Sequence, residues 1–360
     1  MFFRTPHKGP HARGAAAPLA ALLLALLHAA AGPALPQSGR GGTSPKLAQP
    51  PGNLTPFRGD RAYEHVKNLV ALGPRPSGSK ALERARRYII KNLPGDRATL
   101  KRAPDDLARR ELTEREDAWT AETPAGKIRM TNVVYDLPGE TEDTIIIAGH
   151  YDTKLFKDIA FVGANDGGSS AAALLEIARV LSDARTRRFG YRIVFFDGEE
   201  STCREWDECS KPGAPDNTYG SRHYLGRLRA RGQLKHVRAL VLLDMVGYER
   251  LELGRDTMST PWLVDVIWKT AREAGYGHVF AERDEAVGGD DHEPFLRAGV
   301  PAADLIQLGS YPHWHTAEDT LDKISPSSLK AVGDVVIKSL PAIEERLAGA
   351  DKGAGETGKK

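Results

Sequence analysis

The chain has 360 residues, 41% of them hydrophobic and 7% aromatic, with a formal net charge of +2. That is enough apolar sequence to bury a large α/β core, as one domain or two. The near-neutral balance excludes the basic footprint of a nucleic-acid binder.

The first residues differ from the rest. Arg4, Lys8 and Arg13 precede an apolar run from Ala15 to Ala31, interrupted by Pro18 and His28, and Ala29-Ala30-Ala31-Gly32 follows as a small-residue site. A run of about 17 residues is short for a membrane span, so the segment reads as a secretory signal peptide, with an uncleaved anchor as the alternative. Residues 1–37 are assigned to signal and processing, and the destination is periplasmic or secreted. No cysteine stands at the junction, which argues against a lipoprotein. Cleavage removes three cations and no acid, taking the formal charge to −1. Residues 38–59 are rich in Gly, Pro, Ser and Gln and read as a disordered lead-in, and 348–360 as a disordered tail. Residues 60–347 remain for a single catalytic domain.

Apolar residues at helical spacing predict helices over 61–72 and 80–93, flanking the turn-rich Gly73-Pro74-Arg75-Pro76-Ser77-Gly78-Ser79. Residues 96–122 are charged and ambiguous. Strands are expected at 130–137, 144–148, 191–196 and 240–243, and an Ala/Leu-rich helix over 168–181 that Ser169 or Ser170 could cap. Alternating strands and helices predict an α/β fold: a mostly parallel, mixed central sheet with helices on both faces. No internal repeat and no phosphate-loop pattern is found. Cys203 and Cys209, six apart, fit a local disulfide in an exported protein, with two free thiols or a metal site as the other readings.

Candidate ligands fall where such a sheet gathers its chemistry. His150 and Asp152 follow Ile145-Ile146-Ile147, Glu199 and Glu200 follow Ile193-Val194-Phe195-Phe196, and Asp244 follows Val241-Leu242-Leu243. Asp166 precedes the 168–181 helix, and His315 lies in a loop rich in Pro, His and Trp. One Asp after a strand is an ordinary turn former. Carboxylates gathered at three strand ends repel one another unless a cation neutralises them. Mixed histidine and carboxylate donors without thiolate favour zinc. Asp152 is suited to orienting a neighbour. Consecutive residues at a strand end diverge, so one of Glu199 and Glu200 can bind metal while the other faces the reacting atoms as acid or base.

The blocks Ala148-Gly149-His150-Tyr151-Asp152, Gly163-Ala164-Asn165-Asp166, Phe195-Phe196-Asp197-Gly198-Glu199-Glu200, Leu243-Asp244-Met245-Val246-Gly247, Asp291-His292-Glu293-Pro294-Phe295 and Trp314-His315-Thr316 resemble the zinc aminopeptidases of metallopeptidase clan MH. Within that superfamily, Phe161-Val162-Gly163-Ala164, the loop bearing Trp206 before Tyr219-Gly220-Ser221-Arg222-His223, the doublet Asp290-Asp291 and Trp314 beside His315 are similar to animal-type glutaminyl cyclases. The resemblance implies one zinc held by Asp166, Glu200 and His315. It implies Glu199 as proton shuttle, joined to Asp244 and Asp290 by hydrogen bonds, and Trp206 and Trp314 as walls around a glutamine side chain. Peptide or protein N-termini are the implied substrates of a monomeric enzyme, with no nucleic acid and no membrane once the signal is cleaved. Asp304-Leu305-Ile306-Gln307 departs from the His-Leu-Ile run usual in the cyclases, so this wall of the pocket is altered.

Two other readings stand beside this one. A two-zinc aminopeptidase would use His150 and Asp244 for a second metal, with Asp166 bridging and Glu199 activating water. A binding module that kept the fold and lost the chemistry is opposed by the complete set of ligands. Both tryptophans could also be packing residues. His223 reads as structural, His236 and His278 as surface residues, and His292 as a neighbour of the site. His313 is set aside as a ligand in favour of His315.

Overall fold

The structure, a computed structural model, describes residues 54–95, 115–183 and 187–357. The signal segment and most of the lead-in lie outside the described residues.

The chain opens with helices α1 (Gly59–Val70) and α2 (Lys80–Asn92), the second capped by the Ser79 hydroxyl accepting from the Leu82 amide. A hairpin follows, β1 (Glu116–Thr123) and β2 (Gly126–Leu137), then β3 (Thr144–His150), α3 (Gly168–Ser182) and β4 (Gly190–Phe196). Next come α4 (Tyr219–Ala230), β5 (Val237–Asp244), β6 (Leu253–Asp256), α5 (Pro261–Glu273) and β7 (Phe280–Glu285). Short α6 (Glu293–Arg297), β8 (Ala302–Ile306) and long α7 (Pro326–Thr357) complete it.

The main sheet has the order β1-β2-β4-β3-β5-β8. Strands β4, β3, β5 and β8 are parallel to one another, and β1 and β2 add an antiparallel edge against β4, as the mixed α/β reading expects. Side chains alternate faces with period two. Ile145, Ile147, Ile193, Phe195, Val241 and Leu243 pack under α1, α3, α5 and α7, whereas Ile146, Ala148, Val194, Phe196, Leu240 and Leu242 pack with α4 and α6. Helix α3 is apolar nearly all round and buried along its length, as befits the element at the centre of the larger layer. From β3 the chain steps outward to β4 and then back across β3 to β5. The carboxyl ends of these three strands therefore open into one crevice.

Three expectations need adjustment. The ambiguous stretch supplies edge strand β1, whose alternation is masked by charge. The lead-in is ordered from Leu54, because Phe57 is buried against Gly333, where a Cβ would come within 2.3 Å of its ring. Helix α7 runs on to Thr357, beyond the domain end expected at 347.

Candidate metal centre and its pocket

Parallel strands deliver the ligands. His150 closes β3, Glu199 and Glu200 leave β4 after the turn at Gly198, and Asp244 closes β5. Asp166 is presented by the tight loop before α3. Gly167 has φ 75°, and a Cβ there would meet the Asp152 carbonyl at 2.3 Å and the His150 ring at 3.1 Å, so only glycine fits. Asp319 fixes this loop by accepting the amides of Asn165 (2.8 Å) and Asp166 (3.1 Å) and the Tyr311 hydroxyl (2.6 Å). Buried Arg75 anchors it from the other side, donating to the carbonyls of Val162 (2.6 Å) and Gly163 (3.1 Å). Neither Asp319 nor Arg75 was singled out from sequence. An acid three residues after a Thr, or an Arg in a turn, carries no signal of its own.

Asp166, Glu200 and His315 offer donor atoms within 4.8 Å of one another. His315 Nε2 lies 3.2 Å from Glu200 Oε2 and 3.5 Å from Asp166 Oδ2. Asp166 Oδ2 and Glu200 Oε2 are buried and have no hydrogen-bond partner. Two orphaned carboxylate oxygens converging on one imidazole nitrogen fit a divalent cation, and the donor set suits zinc. His150, Asp166 and Asp244 form a second trio, with His150 Nε2 3.0 Å from Asp244 Oδ1 and 3.2 Å from Asp166 Oδ1. Here the imidazole is taken up by direct contact with both carboxylates. Asp152 sits behind them, 3.4 Å from His150 Nδ1 and from the amides of Glu199 and Glu200, in the orienting position expected of it.

These groups do not keep their ordinary acidities. Burial pushes the Glu199 carboxyl well above the usual range; His150 opposes the shift, while Glu200, Asp290 and Asp291 add to it. Asp166 and Asp244 are raised for the same first reason, and Asp290 is pushed up to about 6 by burial with help from Asp244. For His150, burial favours the neutral ring, but Asp244, Asp152 and Asp166 outweigh it and leave the ring more basic than usual.

The cavity over this centre, about 150 Å³, brings together Asp166, Glu199, Asp244, Asp290, Trp206, Trp314 and His315, with Ile306 and Leu308 also in its lining. Trp314 stacks on the His315 ring at 4.2 Å, and Trp206 lies 6.3 Å from it. Every candidate site residue read from the sequence is thus gathered in one place. The expected hydrogen bonds from Glu199 to Asp244 and Asp290 are not among those of the described residues. Ionised carboxylates are all acceptors, and such a network needs a proton shared among them. Asp290 Oδ1 accepts the Asp291 amide instead, its other oxygen is buried without a hydrogen-bond partner, and the residue groups with His292 and Asp304 in a buried cluster. Burial raises Asp304 well above the carboxylate range, with Asp290 reinforcing it. Asp304 stands where the sequence departs from the cyclase pattern, and its place beside Asp290 was not foreseen.

Among the described residues, three non-glycine residues have left-handed backbones, Thr218 (φ 50°), Met245 (φ 46°) and His315 (φ 55°), and all three border the site. Cys203 and Cys209 are joined in a disulfide, with Cα atoms 6.0 Å apart, closing the loop that carries Trp206. His223 stacks flat on Trp119 at 4.1 Å and serves packing. His236 pairs with Glu142 at 3.0 Å, His278 is exposed, and His313 packs against Tyr248 and Tyr311, clear of the metal ligands.

The chain is similar to known proteins in sequence and in fold. Glutaminyl-peptide cyclotransferase of Drosophila melanogaster is 28% identical over 257 residues, covering 63% of this chain and 68% of the relative. The crystal structure of an Acidobacteriales bacterium glutaminyl cyclase superposes with a TM-score of 0.71 at 34% identity, covering 84% of this chain and 99% of that one. A structure described as a leucine aminopeptidase precursor from Bacteroides thetaiotaomicron matches at TM-score 0.68 and 29% identity, over 80% and 98% of the two chains. The description "Peptidase family M28" matches residues 132–340, which include the whole ligand set, and the chain belongs to that family.

Proposed function

We propose that the chain is a zinc-dependent glutaminyl-peptide cyclotransferase, converting N-terminal glutamine of peptides or proteins to pyroglutamate with release of ammonia. The observation that carries this is the small cavity in which the carboxyl of Glu199, buried and raised, faces two tryptophans across the Asp166, Glu200 and His315 trio. A cation held there would act as a Lewis acid toward the side-chain amide carbonyl. Trp206 and Trp314 sandwich the glutamine side chain and exclude water from it, favouring attack by the substrate's own amine. Glu199 accepts a proton from the attacking α-amine and returns it to the departing amide nitrogen. A carboxyl whose acidity is weakened by burial suits both halves of that transfer. Asp244 and Asp290, at the base of the cavity, hold the shared protons around it.

One zinc suffices in this reading. The His150, Asp166 and Asp244 trio closes on itself through its own contacts, and His150 acts as the counterion of the acidic floor. The same trio favours the second reading, a two-zinc aminopeptidase. The single catalytic domain, read from the sequence as 60–347 and extended at its start by the packing of Phe57, works as a monomer and is exported by its N-terminal signal to the periplasm or medium. Among the described residues no helix is long and apolar enough to cross a membrane.

The test is to supply zinc-loaded protein with Gln-peptides and Leu-peptides and to follow ammonia and free amino acid. Ammonia from the Gln substrate without leucine release supports the cyclase, and Glu199→Gln then lowers kcat by about 10²–10⁴ with zinc retained. Free leucine from the second substrate overturns it in favour of the peptidase.

A further inference from the structure

Lys154 is 1% exposed, yet no carboxylate lies within salt-bridge distance of it among the described residues. Burying a cation is costly unless every donor is satisfied. Here the three N–H groups go to neutral acceptors: the Ser201 carbonyl at 2.9 Å, the Ser201 hydroxyl, and the Cys203 carbonyl at 2.7 Å. Its Nζ also stands 5.8 Å from the centre of the Trp206 ring. The backbone of the same residue has a separate task, donating its amide to Glu200 Oε1 at 2.9 Å.

The location explains the arrangement. Lys154 lies just past the exit of β3, and Ser201 to Cys203 lie just past the exit of the neighbouring β4. The disulfide closes the loop from Cys203 to Cys209 but leaves its base free. Asp216 secures one side of that base, accepting the amides of Thr202 and Cys203 at 3.0 Å. Lys154 secures the other.

We infer that Lys154 is a positioning residue for the aromatic wall: its ammonium ties the base of the disulfide loop to the metal-bearing strand ends and so sets Trp206 over the substrate side chain. This rests on the cyclase reading of the cavity. Because the amide of residue 154 serves the ligand Glu200 and the ammonium serves the loop, a side-chain substitution separates the two tasks.

Lys154→Met keeps the stem and removes the donors. On zinc-loaded protein the expected result is a rise of about tenfold in KM for a Gln-peptide, with kcat within about threefold of the parent. Zinc content stays unchanged, and dithiothreitol reduces the Cys203–Cys209 bond several-fold faster. Lys154→Arg, which keeps a charge and donors, recovers part of the KM. An unchanged KM and reduction rate in folded Lys154→Met overturns the inference, as does loss of zinc with falling kcat, which would mean that the residue acts through Glu200. If Lys154→Met does not fold, Ser201→Ala removes one acceptor and is expected to shift both readouts in the same direction by a smaller factor; no shift overturns the proposal. The reduction rate does not depend on the reaction catalysed. A parent enzyme without cyclase activity therefore defeats the functional reading while leaving the clamp separately testable.

Discussion

The metal cup and the aromatic wall face each other across one cavity but are held in different ways. Glu199, Glu200 and Asp244 leave the ends of paired parallel strands, and Asp166 stands in the tight loop before α3. Their backbones are fixed by the sheet ladder and by Asp152, Asp319 and Arg75 behind them. Trp206 and Trp314 stand on loops that no ladder restrains. Trp206 depends on a disulfide, on Asp216 and on the buried Lys154, and Trp314 depends on stacking against His315. The cup is therefore held by the elements of the fold itself. The wall is local and adjustable, and it is where one chemistry can diverge from another.

The largest expected effect comes from breaking the cup. His315→Ala or Glu200→Gln removes a donor and leaves buried acids uncompensated, so metal content falls to near zero and kcat drops by at least about 10³, measured by metal analysis and ammonia release. Breaking the wall should look different. Trp206→Ala is expected to raise KM by about 10–100-fold with zinc retained, in line with losing a large aromatic contact. The Cys203→Ser, Cys209→Ser pair is expected to do the same more weakly and to cost about 2 kcal/mol of stability, from the small loop it opens. If the tryptophan variant loses zinc instead, the two halves are not separable and the comparison fails.

The smallest effect belongs to neither half and sharpens both. Burial of His65 on α1, against Tyr88, lowers its pKa to about 4 from an ordinary 6.5. The unfolded chain therefore takes up a proton below pH 6.5 that the folded chain refuses. Stability is full above that value and falls as pH drops towards 4, by on the order of 1–2 kcal/mol at pH 5. His65→Phe should flatten urea midpoints between pH 7.5 and 5. An unchanged slope removes His65 as the source of the acid sensitivity; the site carboxyls, raised in the folded chain, oppose it.

The cup was legible in the sequence because strand-end placement is periodic. An apolar run that ends in His150, Glu199 or Asp244 announces both the strand and the ligand. The loop ligands Asp166 and His315 were found through their neighbours rather than through any period. Residues that support the site from a distance in sequence stayed hidden. Arg75, Lys154 and Asp319 act through hydrogen bonds to backbones 47 to 154 residues away, which no local pattern encodes. Edge strands β1, β6 and β7 were missed for a related reason: they are short or charged, and their pairing is set by tertiary context.

The left-handed backbones at Thr218, Met245 and His315 bear on how this enzyme can change over evolutionary time. Each conformation costs roughly 1–3 kcal/mol that the surrounding packing must supply, so the site draws on the same reserve that tolerates mutation elsewhere. At Met245 and His315 the strained residue also lines the cavity, and relief by glycine or asparagine would surrender pocket shape or a donor. Thr218 lies outside the cavity lining and contributes its amide to the Glu199 carbonyl at 2.8 Å, a bond that any residue except proline can make. A lineage under thermal selection could gain stability at 218 without touching the reaction. At 245 and 315 it would meet a conflict between endurance and catalysis.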